Sequence, residues 1–134
     1  YVGGKRNLAD RLIKRIECIP HGVYAEPFVG MGGVFLRRRK APAVEIINDR
    51  SRDVATLFRV VQRHFVPFTD TIRWQLTTRA DFERLTKTDP ETLTDLERSA
   101  RFLYLQRTAF GGNGGNAMRA TSAIDSKAIK ASAR

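Results

Sequence analysis

The sequence predicts an α/β fold built on a parallel sheet. Three observations carry that expectation. Residues 23–63 alternate short apolar runs with helical patterns, in the order strand, glycine turn, helix, strand, helix. The first apolar run leads straight into a turn rich in glycine, Gly30-Met31-Gly32-Gly33. The second ends on a carboxylate, Asp49, where a parallel sheet presents the carboxyl ends of its strands to ligands.

The elements follow in order. Leu8, Leu12, Ile13, Ile16 and Ile19 recur at helical spacing, and Pro20 with Gly22 stops the run. Val23, Tyr24 and Ala25 form an apolar stretch that fits a buried strand. Beyond the glycine turn, Val34, Phe35 and Leu36 open a helix that ends in Arg37-Arg38-Arg39-Lys40, cations suited to the negative end of a helix dipole. Pro42 breaks the chain before a second strand, Ala43 to Ile47. Val54, Leu57, Phe58 and Val61 mark the next helix. The pattern 23–63 is thus the start of a Rossmann-like sheet.

From Phe65 to Leu93 the periodicity weakens, although Thr78 is placed to cap a short helix holding Phe82 and Leu85. Thr94 and Glu97 form a capping box that opens a helix through Leu96, Ala100, Leu103 and Tyr104 toward Thr108. A helical segment therefore follows the second strand–helix unit. After Gly111 the chain reads as a loose loop.

The bulk composition narrows the class. With 42% hydrophobic and 28% charged residues, the chain reads as globular rather than disordered. No apolar run approaches the length of a membrane span, so no membrane partner is expected. Cys18 is the one cysteine and His21 and His64 are the only histidines, so neither a disulfide nor a zinc site is expected. These features favour the cytoplasm. A net charge of +10 and a pI near 10.6 predict attraction to polyanions, chiefly nucleic acid.

Three places carry candidate chemistry. Glycines at a strand end let backbone amides approach a ligand without a Cβ in the way, and a helix N-terminus behind them favours an anion. Phe35 occupies the third glycine position of the dinucleotide fingerprint, so the turn is equally compatible with a tight strand-to-helix connection. Asp49 stands where such folds set a carboxylate against ribose hydroxyls, and also where an aspartate caps the following helix; the two roles are compatible. Tyr1-Val2-Gly3-Gly4-Lys5-Arg6 joins an aromatic ring, a glycine bend and a lysine before a helix, with spacing unlike a Walker A loop.

Taken in order, Tyr-x-Gly-Gly-Lys, the helix, Glu26-Pro27-Phe28-Val29-Gly30-Met31-Gly32-Gly33-Val34-Phe35 and Asn48-Asp49 resemble the DNA adenine-N6 methyltransferases of the Dam type. Phe102-Leu103-Tyr104-Leu105-Gln106-Arg107-Thr108-Ala109-Phe110-Gly111-Gly112 is similar to that family's helix before its DNA-recognition segment, with Gln106 where an asparagine often stands. The resemblance implies an S-adenosylmethionine-dependent methyltransferase domain acting on adenine in double-stranded DNA. It implies that Tyr1 packs by the cofactor and that Lys5 contacts it. The loop Glu26, Pro27, Phe28, Gly30 and Gly32 would surround S-adenosylmethionine, and Asp49 would hold its ribose hydroxyls. Arg107 and Phe110 would approach DNA.

The family's catalytic Asp-Pro-Pro-Tyr is missing from these residues. The one Asp-Pro, Asp89-Pro90, continues as Glu91-Thr92 and reads as a helix start. The expectation is therefore an N-terminal part of the methyltransferase domain over 1–112 and a divergent or disordered tail over 113–134, the chain being truncated before the catalytic motif. An inactive nucleic-acid-binding remnant and a small-molecule methyltransferase are the alternative readings.

Overall fold

The computed structural model of the chain describes residues 5–109. These fall into two compact units that meet in sequence at Ser51 and Arg52. The expectations for Tyr1, Phe110 and the tail 113–134 lie outside the described residues.

The first unit is mixed α/β. Helix α1 spans Arg6–Glu17, with Lys14 and Arg15 in its last turn, where cations suit the dipole. Ala9 and Ile13 are buried against Val34, and Ile16 packs beside them. Leu8, Leu12 and Ile19 belong to the same sequence stripe but are exposed. The inward face of α1 is thus centred on Ala9, whose small side chain permits a close approach.

Strands β1 (Val23–Glu26) and β2 (Val44–Ile47) pair in parallel, with Val23 opposite Val44 and Glu26 opposite Ile47. The expected buried strand is instead half-buried: Tyr24 and Glu26 point inward, while Val23, Val44 and Ile46 are exposed. Side chains alternate across a strand, so a parallel register puts 23, 25, 44 and 46 on one face. That face is the uncovered one.

The helix expected from Val34 to the basic run is not formed. Phe35–Arg37 is a single 3-10 turn, and Arg38 is already extended at φ −62°, ψ 135°. The run 37–40 therefore does not cap an α-helix. Its arginine at 38 is pulled inward, where it stacks on the Tyr24 ring at 3.5 Å and pairs with Glu45.

The second unit is helical. Helix α2 (Arg52–Arg63) buries Val54, Thr56, Leu57 and Val60, and packs on α5 (Asp95–Thr108), whose Ala100, Phe102, Leu103 and Tyr104 are buried. Arg98 joins these helices from within: its Nε donates to Asp53 at 2.6 Å and its Nη1 to Glu91 at 2.7 Å. Arg59 adds a more exposed pair with Asp95.

Between them lie α3 (Phe65–Arg73) and α4 (Arg79–Lys87). Helix α3 falls in the stretch where periodicity is weak; Pro67 sits in its first turn, where a missing N–H does no harm, and Phe68 is its one buried residue. Thr78 caps α4 by accepting from the Asp81 amide, and the Thr94–Glu97 box caps α5 in both directions, as the sequence predicts. Asp89 accepts from the Glu91 amide and starts a short 3-10 turn, Pro90–Thr92, in agreement with its reading as a helix start.

Candidate functional site

Because β1 and β2 are parallel, both carboxyl ends emerge on one edge of the sheet. Glu26-Pro27-Phe28 leaves β1 there and Asn48-Asp49 leaves β2. The two segments are laced together by backbone bonds: the Asn48 amide donates to Glu26 O and the Val29 amide to Asn48 O, each at 2.9 Å.

The glycine turn then folds over this edge. Gly30 and Gly32 sit at φ 54° and φ 70°, the left-handed region where a Cβ is disfavoured. The Gly30 amide donates to Asp49 Oδ2 at 2.8 Å, and the Ser51 amide donates to Asp49 Oδ1 at 2.9 Å. One carboxylate thus ties the turn after β1 to the chain leaving β2.

These contacts alter the chemistry expected of the turn. The Gly30 amide serves Asp49 and the Gly32 amide serves Val29 O at 3.0 Å. Neither of these two amides is left to point at a ligand. Only a three-residue 3-10 turn follows, so there is no long helix dipole directed at the site.

Lys5 and Glu26, twenty-one residues apart, meet beneath the turn. Lys5 Nζ donates to Glu26 Oε1 at 2.7 Å and to Phe28 O at 2.6 Å. Glu26 Oε2 accepts from the Tyr24 hydroxyl at 2.8 Å. The carboxylate is only 6% exposed, and an ion pair plus a hydroxyl is what a buried charge requires. Burial, and next the hydrogen bond to Glu26, push the Tyr24 phenol up to about 12.

Four expected site residues, Lys5, Glu26, Gly30 and Asp49, are therefore joined by direct bonds to one another or to the turn. Phe28 is 69% exposed and Pro27 is exposed beside it. Arg107 lies in the last turn of α5 in the other unit, exposed. Sequence reasoning missed Tyr24, Arg38 and Glu45. Their one sequence signal is the strand alternation that sets Tyr24, Glu26 and Glu45 on a common face. Arg38, within a run of four cations, reads in sequence as one of the charges at a helix end.

A family model described as D12 class N6 adenine-specific DNA methyltransferase matches residues 1–115. The chain belongs to that family. The match includes both candidate segments, Lys5 and the Glu26–Gly33 turn, together with Asp49 and Arg107. No curated protein matches the chain. Among the described residues no helix is long and apolar enough to cross a membrane, and no group of three or more His, Cys, Asp or Glu side chains could hold a metal.

Proposed function

We propose that this chain holds S-adenosylmethionine at the carboxyl edge of β1 and β2, and serves methyl transfer to the exocyclic amino group of adenine in double-stranded DNA. The bond between the Gly30 amide and Asp49 carries the reading, because it sets a Cβ-free turn directly beside a carboxylate. On this reading residues 1–112 belong to the methyltransferase domain and the two strands begin a Rossmann-like sheet.

The residues fit a nucleoside with free hydroxyls. Asp49 has a carboxylate anchored by two amides, so it is held in one orientation at the edge where ribose hydroxyls would donate to it. The exposed Phe28 ring, in the segment leaving β1, offers an aromatic face for a purine. Lys5 acts one step back: it neutralises Glu26 and holds the Phe28 carbonyl, which sets the approach of that ring. When bound, the cofactor supplies an electrophilic methyl on a sulfonium. The chain's part is then to orient that group, and orientation is the principal catalytic tool in a direct displacement.

Calorimetry with S-adenosylmethionine tests the proposal. Binding that weakens in Asp49→Ala, at unchanged helix content, supports it. Equal affinity for both proteins removes the sheet edge from the cofactor site. The absence of Asp-Pro-Pro-Tyr from these residues favours a second reading, a DNA-binding chain without transfer activity of its own. It is separated from the first by assaying methyl incorporation beside binding.

A further inference from the structure

The side chain of Arg38 is 1% exposed, although it belongs to a run of four cations. Its Nη2 pairs with Glu45, and its guanidinium lies 3.5 Å from the Tyr24 ring centroid. Nε and Nη1 are buried, and neither has an acceptor among the described residues. Buried donors without partners cost the fold their lost hydration. An apolar side chain of similar length would fill the place without that penalty, so folding alone gives no reason for a guanidinium here.

What the guanidinium holds is the first link of a series that ends at the sheet edge. Tyr24 is pinned on its ring face by Arg38, and its hydroxyl donates to Glu26 Oε2 at 2.8 Å. Glu26 Oε1 accepts from Lys5 Nζ, which also donates to the Phe28 carbonyl at 2.6 Å. The peptide that begins at that carbonyl gives its N–H, the Val29 amide, to Asn48 O. The Phe28–Val29 peptide is therefore held on both sides, directly before the left-handed Gly30. Its amide end is fixed by the chain leaving β2, and its carbonyl end by the series that starts at Arg38.

We infer that Arg38 is a positioning residue for S-adenosylmethionine: through Tyr24, Glu26 and Lys5 it fixes the Phe28 carbonyl, and so the approach of the glycine turn to the cofactor. It acts without contact to the ligand. The inference rests on the cofactor reading above and deepens it with a residue that neither order nor spacing marks.

Calorimetry with S-adenosylmethionine and thermal unfolding are run on the whole chain, on Arg38→Met, on Lys5→Met, on the two combined, and on Asp49→Ala as reference. Arg38→Met should weaken S-adenosylmethionine binding on the order of fivefold, the net contribution of one hydrogen bond. Its thermal midpoint should hold or rise, since two unmet donors are removed and Glu45, 22% exposed, is open to water. Beside Lys5→Met the same change should cost no further affinity, because the series is already cut. An arginine that served the fold alone would lower midpoint and affinity together, and equally in both backgrounds. Arg38→Lys is the second variant should Arg38→Met not fold. It keeps a cation beside Glu45 but lacks a flat face for the ring, so affinity should still fall.

Unchanged affinity in the Arg38 variant, with Asp49→Ala weakened, overturns the inference and leaves the cofactor reading standing. A fall in affinity that tracks a fall in midpoint, or that repeats in full beside Lys5→Met, also overturns it. No binding by the unaltered chain overturns the cofactor reading and the inference with it.

Discussion

The amide of Gly30 donates to Oδ2 of Asp49 across 2.8 Å, linking the turn after β1 to the end of β2 over a separation of 19 residues. A hydrogen bond to an ionised acceptor is stronger than a neutral one. It holds a left-handed glycine in place, so the same carboxylate shapes the turn and faces the proposed cofactor edge.

Asp49→Ala should therefore have two separable effects. Affinity for S-adenosylmethionine should fall by about 1.5–3 kcal/mol if the carboxylate receives the ribose hydroxyls. Thermal stability should also fall, because the Gly30 and Ser51 amides lose their acceptor. Asp49→Asn keeps one acceptor oxygen and should lie between the two in both measurements. Calorimetry and thermal unfolding of the three proteins provide the check.

Lys5 and Tyr24 should prove coupled through Glu26. Removing either donor leaves a buried carboxylate short of a partner, so Lys5→Met and Tyr24→Phe should each destabilise by about 1–2 kcal/mol in urea unfolding. Groups in one hydrogen-bond network are not additive. The double variant should depart from the sum of the single losses, and strict additivity would show that the two donors act independently.

Tyr24 also predicts a pH dependence at the alkaline end. Its phenol is raised, first by burial, then by the bond to and the charge of Glu26, to about 12, against about 10 in the unfolded chain. Between these values the folded state binds the extra proton, so stability falls as pH rises. The contribution is complete below pH about 10 and is lost as pH rises through about 12. In Tyr24→Phe the unfolding free energy should decline less across that window. An identical decline in both proteins would assign the loss to other groups.

Arg98 should be the most sensitive charged position in the helical unit. It is 6% exposed and bonded to both Asp53 and Glu91, and the Glu91 bond is the first cause of its raised pKa. Replacing one member of a buried pair strands the other, so Arg98→Met should cost about 2–4 kcal/mol. Arg98→Lys should restore little, since an ammonium lacks the planar fork that reaches both carboxylates. Thermal melts of the two variants decide it, and a full rescue by lysine would count against the fork.

The 134 residues by themselves should transfer no methyl group to adenine-containing DNA. Asp89, the one aspartate followed by proline, spends its carboxylate on the Glu91 amide at 2.9 Å, and no other Asp-Pro exists to hold an amino group beside a sulfonium. Positioning is worth several orders of magnitude in such a displacement. Labelled-methyl incorporation by this chain alone is the measurement, and clear turnover would show that another residue set performs the chemistry.

The elements that were legible in advance are those written in local chemistry. Thr78 and the Thr94–Glu97 box announce their helices because a cap and its amide lie three residues apart. Both strands, the glycine turn and the parallel order were equally plain from short apolar runs between punctuating residues. Helix α3 was not, because Phe68 is its one buried residue and a single anchor leaves no periodic signal. The expected helix after Val34 failed for the opposite reason: the local pattern was helical, but Arg38 leaves it in an extended conformation for Tyr24 and Glu45, partners that no short window contains.

The candidate site divides along the same line. Order and spacing marked the glycine turn and Asp49, the family resemblance added Lys5 and Glu26 to Phe28, and the basic surplus made a polyanion the partner to expect. Only the tertiary structure decided that Asp49 takes the Gly30 amide and that Lys5 is spent on Glu26 and the Phe28 carbonyl. Caps and turns are closed within a few residues, so composition and spacing carry them. The partner of a charge is chosen by which chain segments meet, and the residues that meet here lie between 19 and 23 positions apart.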